Sequence, residues 1–327
     1  MRRLTWRAQR LKAQGGAAIL TAMLTVVLVA TLASATLWQQ WRGVEIEAAE
    51  RSRTQSAWVL TGALDWARLI LREDARKGGA DHLAEPWAVP LAQARLSTFL
   101  AADRSDAQAA DEAQEVFLSG QIVDLQARLN VTNLVQDGKI NESSRQAFAR
   151  LFELLNLPAS ELTAMADNLR LAQAASADKA VNRAAPLWPQ EVDQLAWVGL
   201  PPRSIAVLSP YITILPVPTP VNLNTASAEV IYACVEAFEL ADAHRLVTAR
   251  NATHLATLAD AGKAGGKMAA QFYPEQHDVK TRFFEVRGNL QVEKVTVQEQ
   301  SVVQRDGLEV KTLTRKRGVA PAVAPLQ

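Results

Sequence analysis

Few residues in this chain have the type and spacing to do chemistry. Cys234 is the single cysteine among 327 residues, so there is no internal disulfide and no CxxC or Cys/His cluster to hold zinc. His82, His244, His254 and His277 stand apart, none lies in an HExxH, and no Walker, GxGxxG or GxSxG loop occurs. The sequence spells out neither an enzyme nor a cofactor site. One backbone bond stands out instead. Gly15-Gly16 separates a basic segment from an apolar run, and glycine at such a boundary lets a protease approach the main chain. Cleavage after Gly16 would discard a leader and leave Ala17 as the new amino terminus.

The element that must present this bond is the apolar run. Arg2, Arg3, Arg7, Arg10 and Lys12 precede it without an acid, and Glu45, Glu47 and Glu50 follow it. Beyond residue 16 the chain carries 30 basic and 34 acidic residues, so its body is mildly acidic. That balance argues against a large nucleic-acid-binding face. Ala17 to Trp38 is 22 uncharged residues, about 33 Å as a helix, which matches the hydrocarbon core of a bilayer. The basic flank predicts a cytoplasmic N-terminus with the bulk of the chain across the membrane. Three readings compete: a secretory signal cut after Ala33-Ser34-Ala35, a signal anchor that is never processed, and a leader cut at Gly16 with the helix retained. Placement of Gly15-Gly16 ahead of the run, not beyond it, favours the third.

The basic leader, Gly16 and the start Ala17-Ala18-Ile19-Leu20-Thr21 resemble the type IV prepilin signal. The resemblance implies a bacterial inner-membrane protein cut by a prepilin peptidase between Gly16 and Ala17 and N-methylated on Ala17. The mature helix would pack on neighbouring helices through Ile19, Leu20, Thr21, Met23, Leu24, Val27 and Leu28. Most members carry glutamate at the fifth mature position, where this chain has Thr21. In that family the carboxylate is thought to neutralise a neighbour's terminal ammonium inside the apolar filament core, where an unpaired charge is costly. A subunit without it has nothing to offer a subunit ahead, which suits the first place in a filament. Thr21 also reads simply as a helix residue whose hydroxyl bonds back one turn.

Further on, Gln39 to Arg76 lacks proline, and Trp58, Leu64, Trp66, Ile70 and Leu71 mark a helix face. Gly78-Gly79 ends it, and Trp87 in the following Pro86 and Pro90 loop reads as a packing residue. A helix is expected over Leu91 to Ala113 and a strand or hairpin over Phe117 to Gln126. An amphipathic helix follows near Ser144–Leu157 and a further helix near Ser160–Ala174, then a short one over Glu191 to Val198 closed by Gly199. Tyr211 to Leu215 reads as a strand. Gly262 to Gly266 reads as a flexible break. After it, four alternating runs around Asp306-Gly307 predict an antiparallel meander over Phe283 to Leu313. The tail past Gly318 is expected to be disordered. Asn130, Asn141 and Asn251 each open an N-glycosylation pattern, taken as chance in a bacterial chain.

Asn222-Leu223-Asn224-Thr225-Ala226-Ser227 is the most distinctive internal motif, with Ser227 placed to cap a helix. With a second helix over Ala241 to Arg250 it resembles a helix-hairpin-helix unit. Such units can grip DNA phosphates through a glycine-rich hairpin. Here the connection is Phe238-Glu239-Leu240, without glycine and with an added acid, so a membrane-tethered DNA-binding protein is the alternative function and nucleic acid is not the expected partner.

Gly120 to Asn130, the Asn222 to Ser227 motif, the helical block between them and the terminal strands together resemble the K-type minor pseudopilin of type II secretion, also called general secretion pathway protein K. The resemblance spans about residues 10 to 315 and implies an α+β pilin-like fold. A long N-terminal transmembrane helix and an antiparallel sheet would be interrupted by a large helical insertion. The expected division is a leader at 1–16, the long helix at 17–76, pilin-like parts at 77–140 and 266–317, the insertion at 141–265 with its hairpin unit at 221–250, and a tail at 318–327. The resemblance further implies I-type and J-type minor pseudopilins and other pseudopilins as partners. It implies a place at the tip of the periplasmic pseudopilus, where assembly starts for secretion across the outer membrane. Calcium is also implied, with ligands the sequence does not assign; Asp260 and Asp278 lack EF-hand spacing.

Overall fold

The computed structural model describes residues 15–96, 116–177, 185–267, 271–292 and 295–320. Most of the expected leader, residues 1–14, lies outside them. The chain divides into two units, Met1–Trp58 and Val59–Gln327. Helix α1, Gly15–Lys77, supplies the described part of the first unit and opens the second. Within the first unit, residues 17–50 are all exposed. From Val59 onward α1 buries Leu60, Leu64, Ala67 and Leu71, a stripe spaced by four, three and four residues, as an amphipathic helix requires. The expected face was different in part: Leu64 and Leu71 are buried, whereas Trp58 and Trp66 are exposed because they fall off that stripe. Gly78 and Gly79 end the helix with φ of 65° and 111°, backbone that favours glycine.

The buried stripe lies on a five-stranded antiparallel sheet of β1 (Leu91–Arg95), β2 (Val116–Asp124), β3 (Phe283–Val292), β4 (Val295–Asp306) and β5 (Glu309–Ala320), adjacent in that order. Leu91–Arg95 is strand where a helix was expected over Leu91 to Ala113; Leu96 is helical, and the rest of that expectation, residues 97–113, lies outside the described residues. Leu91 packs into a cluster with Leu60, Leu118 and Leu290, a long-range contact that overrides local preference. Gly120 stands opposite Gly288, and a Cβ on Gly120 would come within 2.9 Å of the Arg287 carbonyl oxygen. The four expected runs of the meander merge into three long strands, with the turn at Gly307 (φ 56°) where it was expected. β5 continues through Gly318 to Ala320, so the strand extends past the expected start of the tail; residues 321–327 lie outside the described residues. Trp87 is buried and meets Phe284 edge-on at 5.2 Å between ring centroids.

Between β2 and β3 the chain builds a helical lobe: α2 (Glu142–Leu154), α3 (Ala159–Ala177), α4 (Pro202–Leu208), α5 (Ala228–Cys234), α6 (Leu240–Ala252) and α7 (Leu258–Ala264). Asn141 is the N-cap of α2, accepting from the Ser144 N–H, which gives this asparagine a structural task. The Val192–Val198 turn is 3-10 and closes on Gly199 at φ 95°. Leu151, Phe152, Met165, Leu169, Leu223, Ile231 and Leu246 form the centre of the lobe. Leu129, Val131, Leu134 and Val135 before residue 141, and Val279 after residue 265, pack in the same core. Two short parallel pairings tie these margins in: Leu129–Asn130 with Ile212–Thr213, and Val221–Asn222 with His277–Asp278. The expected strand over Tyr211 to Leu215 is thus reduced to two residues. Gly262 is buried inside α7, so the expected break at Gly262 is helix.

Candidate functional site

Residues 17–38 form one continuous stretch of α1 whose apolar side chains, among them Ile19, Leu20, Met23, Leu24, Val27 and Leu28, are all exposed. Polar groups on such a surface would oppose entry into lipid unless satisfied within the helix. They are satisfied. Thr21, Thr25, Thr31, Ser34 and Thr36 each donate their hydroxyl to a carbonyl three or four residues earlier, at 2.8–3.0 Å. Thr21 lies between the Ala17 and Ala18 oxygens at 3.0 and 2.9 Å. Helix α1 is long and apolar enough to cross a membrane once. Gly16 and Ala17 lie in its first turn.

A second constellation joins the lobe to the sheet, and its centre is Asp124 at the end of β2. The carboxylate is buried and receives four donors: the Gln126 N–H at 2.7 Å, Asn222 Nδ2 at 2.9 Å, and the hydroxyls of Thr225 and Thr281 at 2.6 Å each. Burial pushes its carboxyl pKa up, against the pull of these donors. Asn222 also donates to the Asp81 carbonyl at 3.2 Å, and Asn224 pairs twice with the Leu255 backbone at 2.9 Å. The Asn222 to Ser227 motif is therefore a joint. Ser227 caps α5, as expected. Arg250 is buried and has no acid paired with it among the described residues; it donates to the Leu223 and Ala226 carbonyls, and burial lowers its pKa to about 10.

Asp124, Asp81, Arg250 and Arg305 were not singled out in the sequence. For Asp124 the signal existed: the one charged residue of β2, closing the strand within Gly120 to Asn130. Arg305 gave none, because its partners Asp74 and Asp81 lie more than 220 positions away.

The hairpin between α5 and α6 is closed to phosphate. The N-terminus of α6 is occupied by its own capping box of Glu239 and Asp242, and Asp242 pairs with Arg245 and with Lys267 at 2.8 Å. Arg150 holds the hairpin from outside through the Val235 and Phe238 carbonyls, at 2.7 and 2.5 Å. Three of the histidines are equally structural. His277 accepts the Tyr273 N–H at Nδ1 (3.1 Å), which leaves Nε2 to donate to the Cys234 carbonyl at 3.0 Å. His82 and His254 stack at 3.9 Å. Burial pushes the Cys234 thiol up to about 12, far from thiolate chemistry at neutral pH.

For the implied calcium, the ligand atoms of Asp74, Asp81 and Glu85 approach within 4.8 Å of one another. Arg305 already bridges Asp74, at 2.6 Å, and Asp81. Glu85 is committed to the His82 N–H at 2.9 Å and to Trp87 Nε1 at 2.8 Å. A guanidinium fills the role of the cation here, so this cluster does not fit calcium.

Two family models described as "Type II secretion system (T2SS), protein K" match residues 127–217 and 221–280, which cover the lobe and the Asn222 to Ser227 motif, with Asp124 and Thr281 just outside. The chain is 26% identical to the Type II secretion system protein K of Pseudomonas aeruginosa PAO1, over 93% of this chain and 90% of that one. Both comparisons point to the type II secretion protein K family. Its fold is similar, with a TM-score of 0.61, to a chain in the crystal structure of the GspK-GspI-GspJ complex from enterotoxigenic Escherichia coli. That match covers 83% of this chain and 98% of the other at 17% identity. As a protein K chain it is a minor pseudopilin of type II protein secretion, a structural and not an enzymatic family. The long apolar α1 is the candidate membrane anchor of this protein K, and Asp124 is the post to which its lobe is tied.

Proposed function

We propose that this protein K chain is the leading subunit of the type II secretion pseudopilus, starting assembly together with I-type and J-type minor pseudopilins. Thr21 carries the proposal. Its hydroxyl is turned onto the carbonyls of its own helix, so the fifth mature residue presents no carboxylate to the ammonium of a subunit ahead. The lobe between β2 and β3 supports the same place, since any subunit stacked beyond it would have to accommodate that bulk. The partners follow from the Escherichia coli relative, which was crystallised with GspI and GspJ. In this proposal prepilin peptidase cuts between Gly16 and Ala17, Ala17 is methylated, and Ile19, Leu20, Met23, Leu24, Val27 and Leu28 pack on other pseudopilin helices. The N-terminus starts in the cytoplasm and the body lies in the periplasm. The role needs no cofactor.

Terminal mass analysis of protein from cells with and without prepilin peptidase tests the processing. A methylated start at Ala17 that depends on the peptidase is expected; a start at Thr36 or an intact Met1 would overturn it. Immunogold labelling of pseudopili tests the position. Wild-type protein is expected at filament ends only, and label spread along shafts would sink the leading-subunit proposal.

A further inference from the structure

One contact beside the joint is made of titratable rings. His82, in the loop that leaves α1, stacks on His254, in the lobe loop that follows α6, with ring centroids 3.9 Å apart and planes 9° from parallel. His82 is half-buried and His254 is exposed, so protons from solvent reach both rings. Each ring is carried by a loop that is pinned next to it. The Asp81 carbonyl accepts from Asn222 at 3.2 Å and its carboxylate is held by Arg305. Leu255 pairs twice with Asn224. The stack thus joins two fixed margins.

Geometry says which form of His82 makes this contact. Its Nδ1 accepts the Ala84 N–H at 3.3 Å, which leaves the ring proton on Nε2. The same loop closes through the His82 N–H to Glu85 at 2.9 Å and the Glu85 N–H to the His82 carbonyl at 3.2 Å. A protonated imidazole has no acceptor left, so acid removes the bond from Ala84. Once His254 is charged as well, two cations lie 3.9 Å apart. Even at the dielectric of water, that repulsion moves the contact about sixfold toward separation.

The charges around the pair are already committed or balanced. Asp74 of α1 and Asp81 share Arg305 of β4, and Glu85 takes Trp87 Nε1 at 2.8 Å. Asp278 and Lys280 line the same cleft as Asp81 and Glu85. On the lobe side, Asp260 is spent on the Thr257 cap of α7, and Arg250 of α6 on the Leu223 and Ala226 carbonyls. Burial first, and then the His254 ring, lower the His82 pKa against the pull of Asp74 and Asp81. A lowered pKa gives a stabilisation that is present above the ordinary value of 6.5 and lost as pH falls through the lowered one. Glu85, raised to about 7, acts in the opposite sense.

We propose that the His82–His254 stack is a proton-released clasp between the loop leaving α1 and the lobe, closed while the rings are neutral and open once both are protonated. Acidification then frees this outer contact while the buried Asp124 joint holds. The clasp rests on these two loops alone and stands whether or not the chain leads the pseudopilus.

The test is nuclear magnetic resonance of the full-length protein in detergent micelles with ring-labelled histidine, at about pH 7.5 and about pH 5. At the higher pH a His82–His254 ring-to-ring Overhauser effect is expected, with the His82 proton on Nε2. At the lower pH that effect is expected to fall about sixfold. The Phe272–His277 ring contact, 5.6 Å between centroids, is expected to persist at both. His254→Phe keeps a flat ring and cannot take a proton, so its contact with His82 is expected to survive acid. The proposal is overturned if the wild-type contact survives acid, if the Phe272–His277 contact is lost with it, or if the Phe variant opens too. A His82 proton on Nδ1 at the higher pH would also overturn it, and that reading needs no variant. Glu85 is the same in both proteins, so its titration cancels in the comparison.

Discussion

Between Ala17 and Trp38, five hydroxyls face an apolar surface and every one is satisfied three or four residues away. Around Asp124, the polar groups are equally in need of partners, yet Asn222, Thr225 and Thr281 reach it across 98, 101 and 157 positions of sequence. A helix that satisfies itself can change neighbours at no cost in hydrogen bonds, which is what moving from a bilayer into a filament demands. A joint made of distant partners has one arrangement, and losing any member strands the others in a buried site.

The strongest way to break this contrast is Asp124→Ala. Four donors lose their acceptor, and a loss of about 3–5 kcal/mol is expected in urea unfolding of the detergent-solubilised protein; a change under about 1 kcal/mol would show that the joint is not rigid. Gly120→Val probes the sheet next to it. Its Cβ would press on the Arg287 carbonyl, and a cost of about 1–3 kcal/mol is expected in the same assay.

Glu85 gives a smaller effect with a sign. Burial raises its pKa from 4.5 to about 7, so the folded protein holds a proton that the unfolded chain has released. The stabilisation is complete below pH 4.5 and is lost as pH rises through about 7. Glu85→Gln is expected to flatten the fall of melting temperature across that window, and an unchanged slope would count against the half-buried carboxyl as its cause. The smallest effect belongs to Thr21→Val, which deletes a hydroxyl bonded only to its own helix. Stability is expected to move by less than about 0.5 kcal/mol, with leader removal unaltered; impaired processing would show that the hydroxyl has an outside partner.

The same contrast explains what the sequence revealed. The apolar run, the Gly78-Gly79 stop, the Gly199 closure and the Asp306-Gly307 turn are local signals, and each appears where residue type and spacing set it. The α1 stripe was only half legible: Leu64 and Leu71 were found, but Trp58 and Trp66 look buried in a list of hydrophobic residues and are not. β1 was missed because nothing within Leu91 to Arg95 announces a strand; β2 makes it one. The Asn222 to Ser227 motif was visible as a motif, while its purpose depended on Asp124, Thr281 and Leu255, which no window of sequence brings together.

Asp124 and Phe284 are cross-strand partners in the sheet, so the polypeptide departs for its helical excursion and returns at a single address. β2 and β3 would remain neighbours if the intervening residues were replaced by a tight loop. The pilin scaffold can thus be read as a socket, and the lobe as a cartridge that descent could enlarge, trim or exchange while the strand order stayed as it is.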